Sequence, residues 1–226
     1  MIKAVIFDLD NTLVDFIAMK HAAIRAAIVA MIDAGLKMSE NAAEKKIYEI
    51  YDEEGIEDQK VFDKFLQKEL GQIDYRIHAA GIIGYRRARE AALVLYPHVQ
   101  LALMELVKRG LKLAVVTDAP RLQAWLRLCQ LNLHHFFDVV ITYEDTKKRK
   151  PDPEPFEKAL ETLKVNCPET IMVGDWVERD IVGAKLLGMK SVFARYGDRF
   201  DTTNSGADYE IDDILELLDI VDELSK

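Results

Sequence analysis

Cysteine and long apolar runs are scarce in this chain of 226 residues, and basic residues are outnumbered by acidic ones; each of these closes off a class of protein. Two cysteines, Cys129 and Cys167, cannot build a disulfide framework; they read as small core or loop residues in a protein of the reducing cytoplasm. Lys and Arg total 30 against 39 Asp and Glu, a formal net charge of −9, which argues against a general nucleic-acid binder or a protein held on an anionic membrane. The longest apolar helical stretch, residues 22–36, carries Arg25 and Asp33 and is short of a membrane span. No basic leader with an apolar core precedes the first strand, so no targeting segment is expected. The five histidines, His21, His78, His98, His134 and His135, lack metal-ligand spacing, and no internal repeat or low-complexity tract stands out. What remains is a half-hydrophobic chain, enough for one large domain or for a core with a modest second domain.

The chain is organised around its first dozen residues. Ile2 to Phe7 is a short apolar run rich in β-branched residues, the pattern of a strand buried on both faces of a parallel sheet. It ends abruptly in Asp8-Leu9-Asp10-Asn11-Thr12. Side chains two apart on a strand project to the same side, so Asp8 and Asp10 would both reach the strand's carboxyl end, where open α/β sheets bind ligands. Two carboxylates crowded there repel and lose solvation, which a hard, oxygen-seeking cation or a shared proton relieves. A strand followed by an ordinary polar turn accounts for the same residues.

The device recurs. Leu111 to Val116 is a second buried strand and stops at Thr117-Asp118; Glu169 to Val173 is a third and stops at Gly174-Asp175, with Asp180 a little further on. Between them Lys148-Arg149-Lys150-Pro151-Asp152-Pro153 sets a cation just ahead of a helix start. Taken singly, Thr117 is a strand-end residue and the Lys-Arg-Lys run a solvated charge cluster. Asp, Thr, Lys and Asp in this order, each where an apolar run stops, are similar to the four motifs of the haloacid dehalogenase-like superfamily of phosphohydrolases. The resemblance covers Ile2 to about Ala194, interrupted by an insert from Val14 to about Tyr96.

That insert changes character. Ile17, Ile24, Ile28, Met31 and Ile32 recur at helical spacing over residues 15–36; Ser39 suits the cap of a helix over residues 40–54, with further helices over 61–70 and 75–96. Pro97 marks the boundary. The reading is a four-helix unit over residues 15–96, set into a core of residues 1–14 and 97–226; by resemblance it is a cap that closes over the site and opens for exchange. The rest alternates strand and helix, with helices expected from Pro120, from Pro153 behind the cap Asp152, from Asp180 to Leu187, and from Asp212. The fold class is therefore α/β: a Rossmann-like parallel sheet with helices on both faces plus an inserted all-helical cap domain.

The resemblance also implies roles. Asp8 would be the nucleophile that takes the phosphoryl group, and Asp10 the acid for the leaving alkoxide and the base for the attacking water. An acid at Asp10 favours phosphoester over carbon–halogen chemistry, since the dehalogenase branch keeps none there. Thr117 and Lys150 would hold phosphate oxygens. Magnesium, Mg2+, would be held by Asp8, Asp175 and the backbone carbonyl of Asp10, with Asp180 in the outer part of the metal site or, alternatively, capping its helix. A magnesium-dependent phosphatase acting on a small phosphorylated metabolite leads; a phosphomutase of the same family and a phospho-accepting binding module without turnover are the alternatives. Neither nucleic acid nor membrane is an expected partner, and monomer and homodimer are both open.

Overall fold

The computed structural model describes residues 1–225. Its contacts divide into two compact units, Met1–Asp15 with Val94 onward, and Phe16–Leu93.

The first unit is built on a six-stranded sheet in the order β3-β2-β1-β4-β5-β6. These strands are β1 (Ala4–Phe7), β2 (Lys112–Val116), β3 (Val139–Ile141), β4 (Thr170–Gly174), β5 (Lys190–Ala194) and β6 (Tyr209–Ile211), and every neighbouring pair is parallel. β1 lies between β2 and β4, and all four of its residues are fully buried, as its unbroken apolar run requires. Phe7 is level with Val115 of β2 and Val173 of β4, so the chain leaves all three strands at one height: Asp8, Thr117 and Asp175 follow within a residue of one another. The strand order reverses direction beside β1, and such a reversal opens a crevice at the strands' carboxyl ends.

Alternation along the strands sorts the core. Ala4, Ile6, Ala114, Val116 and Met172 form one cluster with Phe156, Ala159, Leu160 and Leu163 of α8 (Pro153–Leu163) and Ala184 of α9 (Val182–Leu187). Asp8 shares the parity of Ala4 and Ile6, which aims it toward the segments that lead into α8 and α9. Asp152 caps α8, accepting from the Glu154 N–H at 3.0 Å, with Pro153 in the first helical position. The remaining helices of this unit are α5 (Val99–Lys108), α6 (Arg121–Gln130), the short α7 (Tyr143–Thr146) and α10 (Glu216–Leu224).

The second unit holds α1 (Phe16–Asp33), α2 (Glu40–Glu54), α3 (Val61–Leu70) and α4 (Tyr75–Ala92). Ile24, Ile28, Met31, Ile47, Phe65 and Leu66 give it a hydrophobic core of its own. Ser39 caps α2 by accepting from the Ala42 N–H, and Asp74 caps α4 by accepting from Arg76 and Ile77.

Several helix ends differ from expectation; α1 stops at Asp33 rather than at residue 36, and α10 begins at Glu216 rather than Asp212. The helix expected to run to Tyr96 stops at Ala92, four residues short. Residues 94–96 instead pair with the outgoing chain: the Asp15 N–H donates to the Val94 carbonyl and the Tyr96 N–H to that of Leu13, each at 3.1 Å, with Val14 bridged to Leu95. Strand-type bonds to a segment 80 residues away in sequence replace the last helical turn, and no local pattern announces them. The helix expected from Asp180 begins as one wide turn at Val177–Ile181 before α9. Among the described residues no helix is long and apolar enough to cross a membrane.

Candidate active site

The strand ends converge on a buried cluster. The Asp8 N–H is spent on the Val173 carbonyl (2.9 Å), which fixes the backbone where β1 ends, while its Oδ1 accepts from Lys150 Nζ at 2.5 Å. The same ammonium lies 2.7 Å from Asp180 Oδ1, so Lys150 bridges two carboxylates. Asp175, from the end of β4, accepts at Oδ1 from the Thr12 hydroxyl at 3.0 Å. One oxygen from each of Asp8, Asp175 and Asp180 lies within 4.8 Å of the other two. All four side chains are buried, Asp180 and Lys150 almost completely.

Local structure explains each placement. The wide turn at Val177–Ile181 carries Asp180 back over β4, where its Oδ2 accepts from the Trp176 N–H at 3.1 Å. Asp180 thus closes back on the Trp176 N–H and faces Lys150; it lies inside the wide turn, with Trp176 at the cap position, so it does not cap its helix as the alternative expectation had it. Gly174 makes room for it, since a Cβ there would sit 2.3 Å from Asp180 Cγ. Lys150 is held by its own backbone, whose N–H donates to Asp118 Oδ1 at 3.0 Å; Asp118 Oδ2 in turn accepts from Arg179 Nη1 at 2.9 Å. Arg179 stacks over the Trp176 ring at 3.6 Å, and Trp176 packs on Phe200.

Thr117 leaves β2 at the same edge. Its N–H donates to the Ile141 carbonyl (2.9 Å) and its buried hydroxyl oxygen accepts from the Ala119 N–H (3.1 Å), which keeps its own O–H to donate. Asp10 stands outside the carboxylate trio, its Oδ2 accepting from Arg127 Nη1 at 2.7 Å. Sequence reasoning picked out Asp8, Asp10, Thr117, Lys150, Asp175 and Asp180; it missed Thr12, Asp118 and Arg127. Thr12 and Asp118 each lie within two residues of a chosen position, so proximity to the motifs was a usable signal for them. For Arg127, buried on a helix 117 residues from its partner, there was none.

Electrostatics mark the cluster as short of positive charge. Burial pushes the Asp175 carboxyl well above the ordinary carboxylate range, and the neighbouring charges of Asp8 and Asp180 push it further. Asp180 is raised as well, again first by burial, with Lys150 pulling the other way. Burial alone would lower the Lys150 ammonium, but Asp180, Asp8 and Asp118 override that and hold it above its usual value. Three carboxylates against one ammonium, all offering oxygen, suit a hard divalent cation that would restore the balance.

The family model of the haloacid dehalogenase-like hydrolases matches residues 5–194 of this chain. The chain belongs to that family. Full-length relatives narrow the branch: a glyceraldehyde 3-phosphate phosphatase of Methanocaldococcus jannaschii is 40% identical, with 100% of each chain covered. Among solved structures, a phosphatase of this family from Thermococcus onnurineus is 32% identical, with 97% of this chain and 98% of the other covered, at a TM-score of 0.71. A β-phosphoglucomutase-like protein from Thermotoga maritima superposes at a TM-score of 0.77 over 98% of this chain and 99% of its own, but at 24% identity it shares the fold alone. Within the haloacid dehalogenase-like hydrolases this chain is a phosphatase, an enzyme cleaving phosphoric monoesters.

A second glycine locks the loop after β1 onto the hydrolase core. A Cβ on Gly197 would lie 1.7 Å from the Asn11 carbonyl oxygen and 3.0 Å from Asp175 Cβ, so backbone rather than a flexible side chain would have to yield. Gly197→Ala is expected to cost about 1–3 kcal/mol, read from the urea midpoint, and to lower turnover by moving Asn11 and Asp175 together. An alanine variant with unaltered midpoint and turnover would show that the loop and the strand end move independently.

Proposed function

We propose that this hydrolase is a magnesium-dependent phosphatase of small phosphorylated metabolites, of the glyceraldehyde 3-phosphate class, working through an aspartyl-phosphate on Asp8. The observation that carries the proposal is the buried convergence of Asp8, Asp175 and Asp180 with Lys150 bridging two of them. The substrate class rests on the full-length relatives.

Asp8, Asp175 and the backbone carbonyl of Asp10 would hold the ion, with Asp180 behind them. When bound, magnesium supplies charge neutralisation between an anionic nucleophile and an anionic phosphoryl group. The chain's residues supply the rest. An Asp8 oxygen attacks phosphorus as the ester P–O bond breaks, and Asp10 passes a proton to the departing alkoxide. Thr117 donates its O–H, and Lys150 its positive charge, to phosphoryl oxygens, where they oppose the charge that would otherwise repel Asp8. In the second half Asp10 takes a proton from water, the resulting hydroxide attacks phosphorus, and the Asp8–phosphorus bond breaks to release inorganic phosphate. The inserted helical unit has a hydrophobic core of its own, which supports reading it as a cap.

Release of inorganic phosphate from a panel of triose, glycerol, glycolate and sugar phosphates, with magnesium and with a chelator, tests this reading. The expected result is magnesium-dependent release, fastest on the triose phosphate. Isomerised sugar phosphate without free phosphate would indicate a mutase instead, and no turnover at all would overturn the enzymatic reading.

A further inference from the structure

Arg127 is out of place on α6. It lies among Ala124 and Leu128 on the helix's buried face, with its side chain only 7% exposed, where an apolar residue would pack without penalty. A guanidinium stays charged at any working pH, so burying it is unfavourable unless it is paired, and a buried ion pair commonly adds no more stability than a packed apolar pair would. Stability therefore does not account for an arginine at this position. Its partner does: Nη1 donates to Oδ2 of Asp10 at 2.7 Å, across 117 residues of sequence.

Asp10 needs such a partner. It sits on a tight turn, bounded by Asn11 at φ 61°, in which the Leu13 and Val14 N–H groups both return to the Leu9 carbonyl. The turn fixes the backbone of Asp10 and leaves rotation about its side-chain bonds to be settled elsewhere. An acid that delivers a proton to a leaving oxygen must be held within hydrogen-bond reach of it, and a carboxyl tethered at one oxygen can be aimed with the other.

We infer that Arg127 is a positioning residue for the phosphatase reaction: by holding Asp10 Oδ2, it aims Oδ1 at the ester oxygen. Oδ1 gives its proton to that oxygen as the P–O bond breaks and recovers one from the attacking water. The inference rests on the phosphatase reading above.

Esters with different leaving groups separate this role from a merely structural one. An alkyl phosphate leaves as a strongly basic alkoxide and needs the acid, whereas 4-nitrophenyl phosphate leaves as a stable phenolate and does not. The ratio kcat/KM, which covers steps only through loss of the leaving group, should fall about 100-fold for glycerol phosphate in Arg127→Met. For the aryl ester it should fall less than about threefold, while kcat drops for both esters because Asp10 also serves as the base. Arg127→Lys should recover part of the alkyl-ester loss, and it keeps the test usable if Arg127→Met does not fold. Adding Arg127→Met to Asp10→Asn should change the alkyl-to-aryl ratio no further. Equal losses on both esters, an unchanged ratio, or an additional loss in the Asp10→Asn background would overturn the inference while leaving the phosphatase reading intact. A wild-type protein that hydrolyses neither ester would overturn both.

Discussion

Asp8→Asn is expected to lower kcat by at least about 10⁴-fold while leaving the protein folded, because it removes a nucleophile and almost nothing else. Asparagine has nearly the volume of aspartate, and its amide oxygen still accepts from Lys150, which keeps Asp180 as its second partner. Losing one of three crowded carboxylates also relieves the repulsion that, after burial, raises Asp175. The melting temperature in the absence of metal should therefore hold or rise, even as turnover vanishes. The two readouts moving in opposite directions is the signature; a fall in both would mark Asp8 as a structural anchor, and activity surviving in the variant would remove it from the chemistry. Phosphate release and a thermal melt on the same preparation decide between these.

Lys150→Met should damage both properties. The ammonium is shared by Asp8 and Asp180, at 2.5 and 2.7 Å, in a place that water barely reaches. Removing one member of a buried ion network leaves carboxylates uncompensated, at a cost of about 3–5 kcal/mol. Turnover should fall about 10³-fold through loss of a donor aimed at the phosphoryl oxygens. Magnesium then gives a diagnostic that a simple packing defect would not. With less positive charge built in, the variant should gain more thermal stability from added magnesium than the wild type does, as expected for a ligand that binds the folded state. Equal gains in both proteins would mean that the ion and Lys150 do not share the same carboxylates.

Most of this site could be read from the chain because each polar residue sits where a buried strand stops, and strand ends in a parallel sheet fall at one edge. The apolar run of β1 places Asp8, and the matching register of β2 and β4 brings Thr117 and Asp175 within a residue of its level. Lys150 was legible through the helix start at Asp152 and Pro153. Asp180 was legible as a residue but not as a conformation, since only the wide turn over β4 lets one carboxylate close that turn and face Lys150 together. The end of α4 at Ala92 and the pairing of Asp10 with Arg127 were not legible. Both are set by contacts between distant segments, whereas periodicity reports only the local face of a helix.

The most direct test of the account is to catch the phosphoryl group on Asp8. Asp10→Asn protein given 4-nitrophenyl phosphate and magnesium should form the adduct without needing an acid and then lack the base that clears it. Acid quenching, digestion and mass spectrometry should find a phosphoryl group on the peptide carrying Asp8, labile to hydroxylamine and absent when Asp8 is also replaced. Steady turnover by the wild type with no phosphoryl on that peptide in the stalled variant, or with the group on another residue, would contradict it.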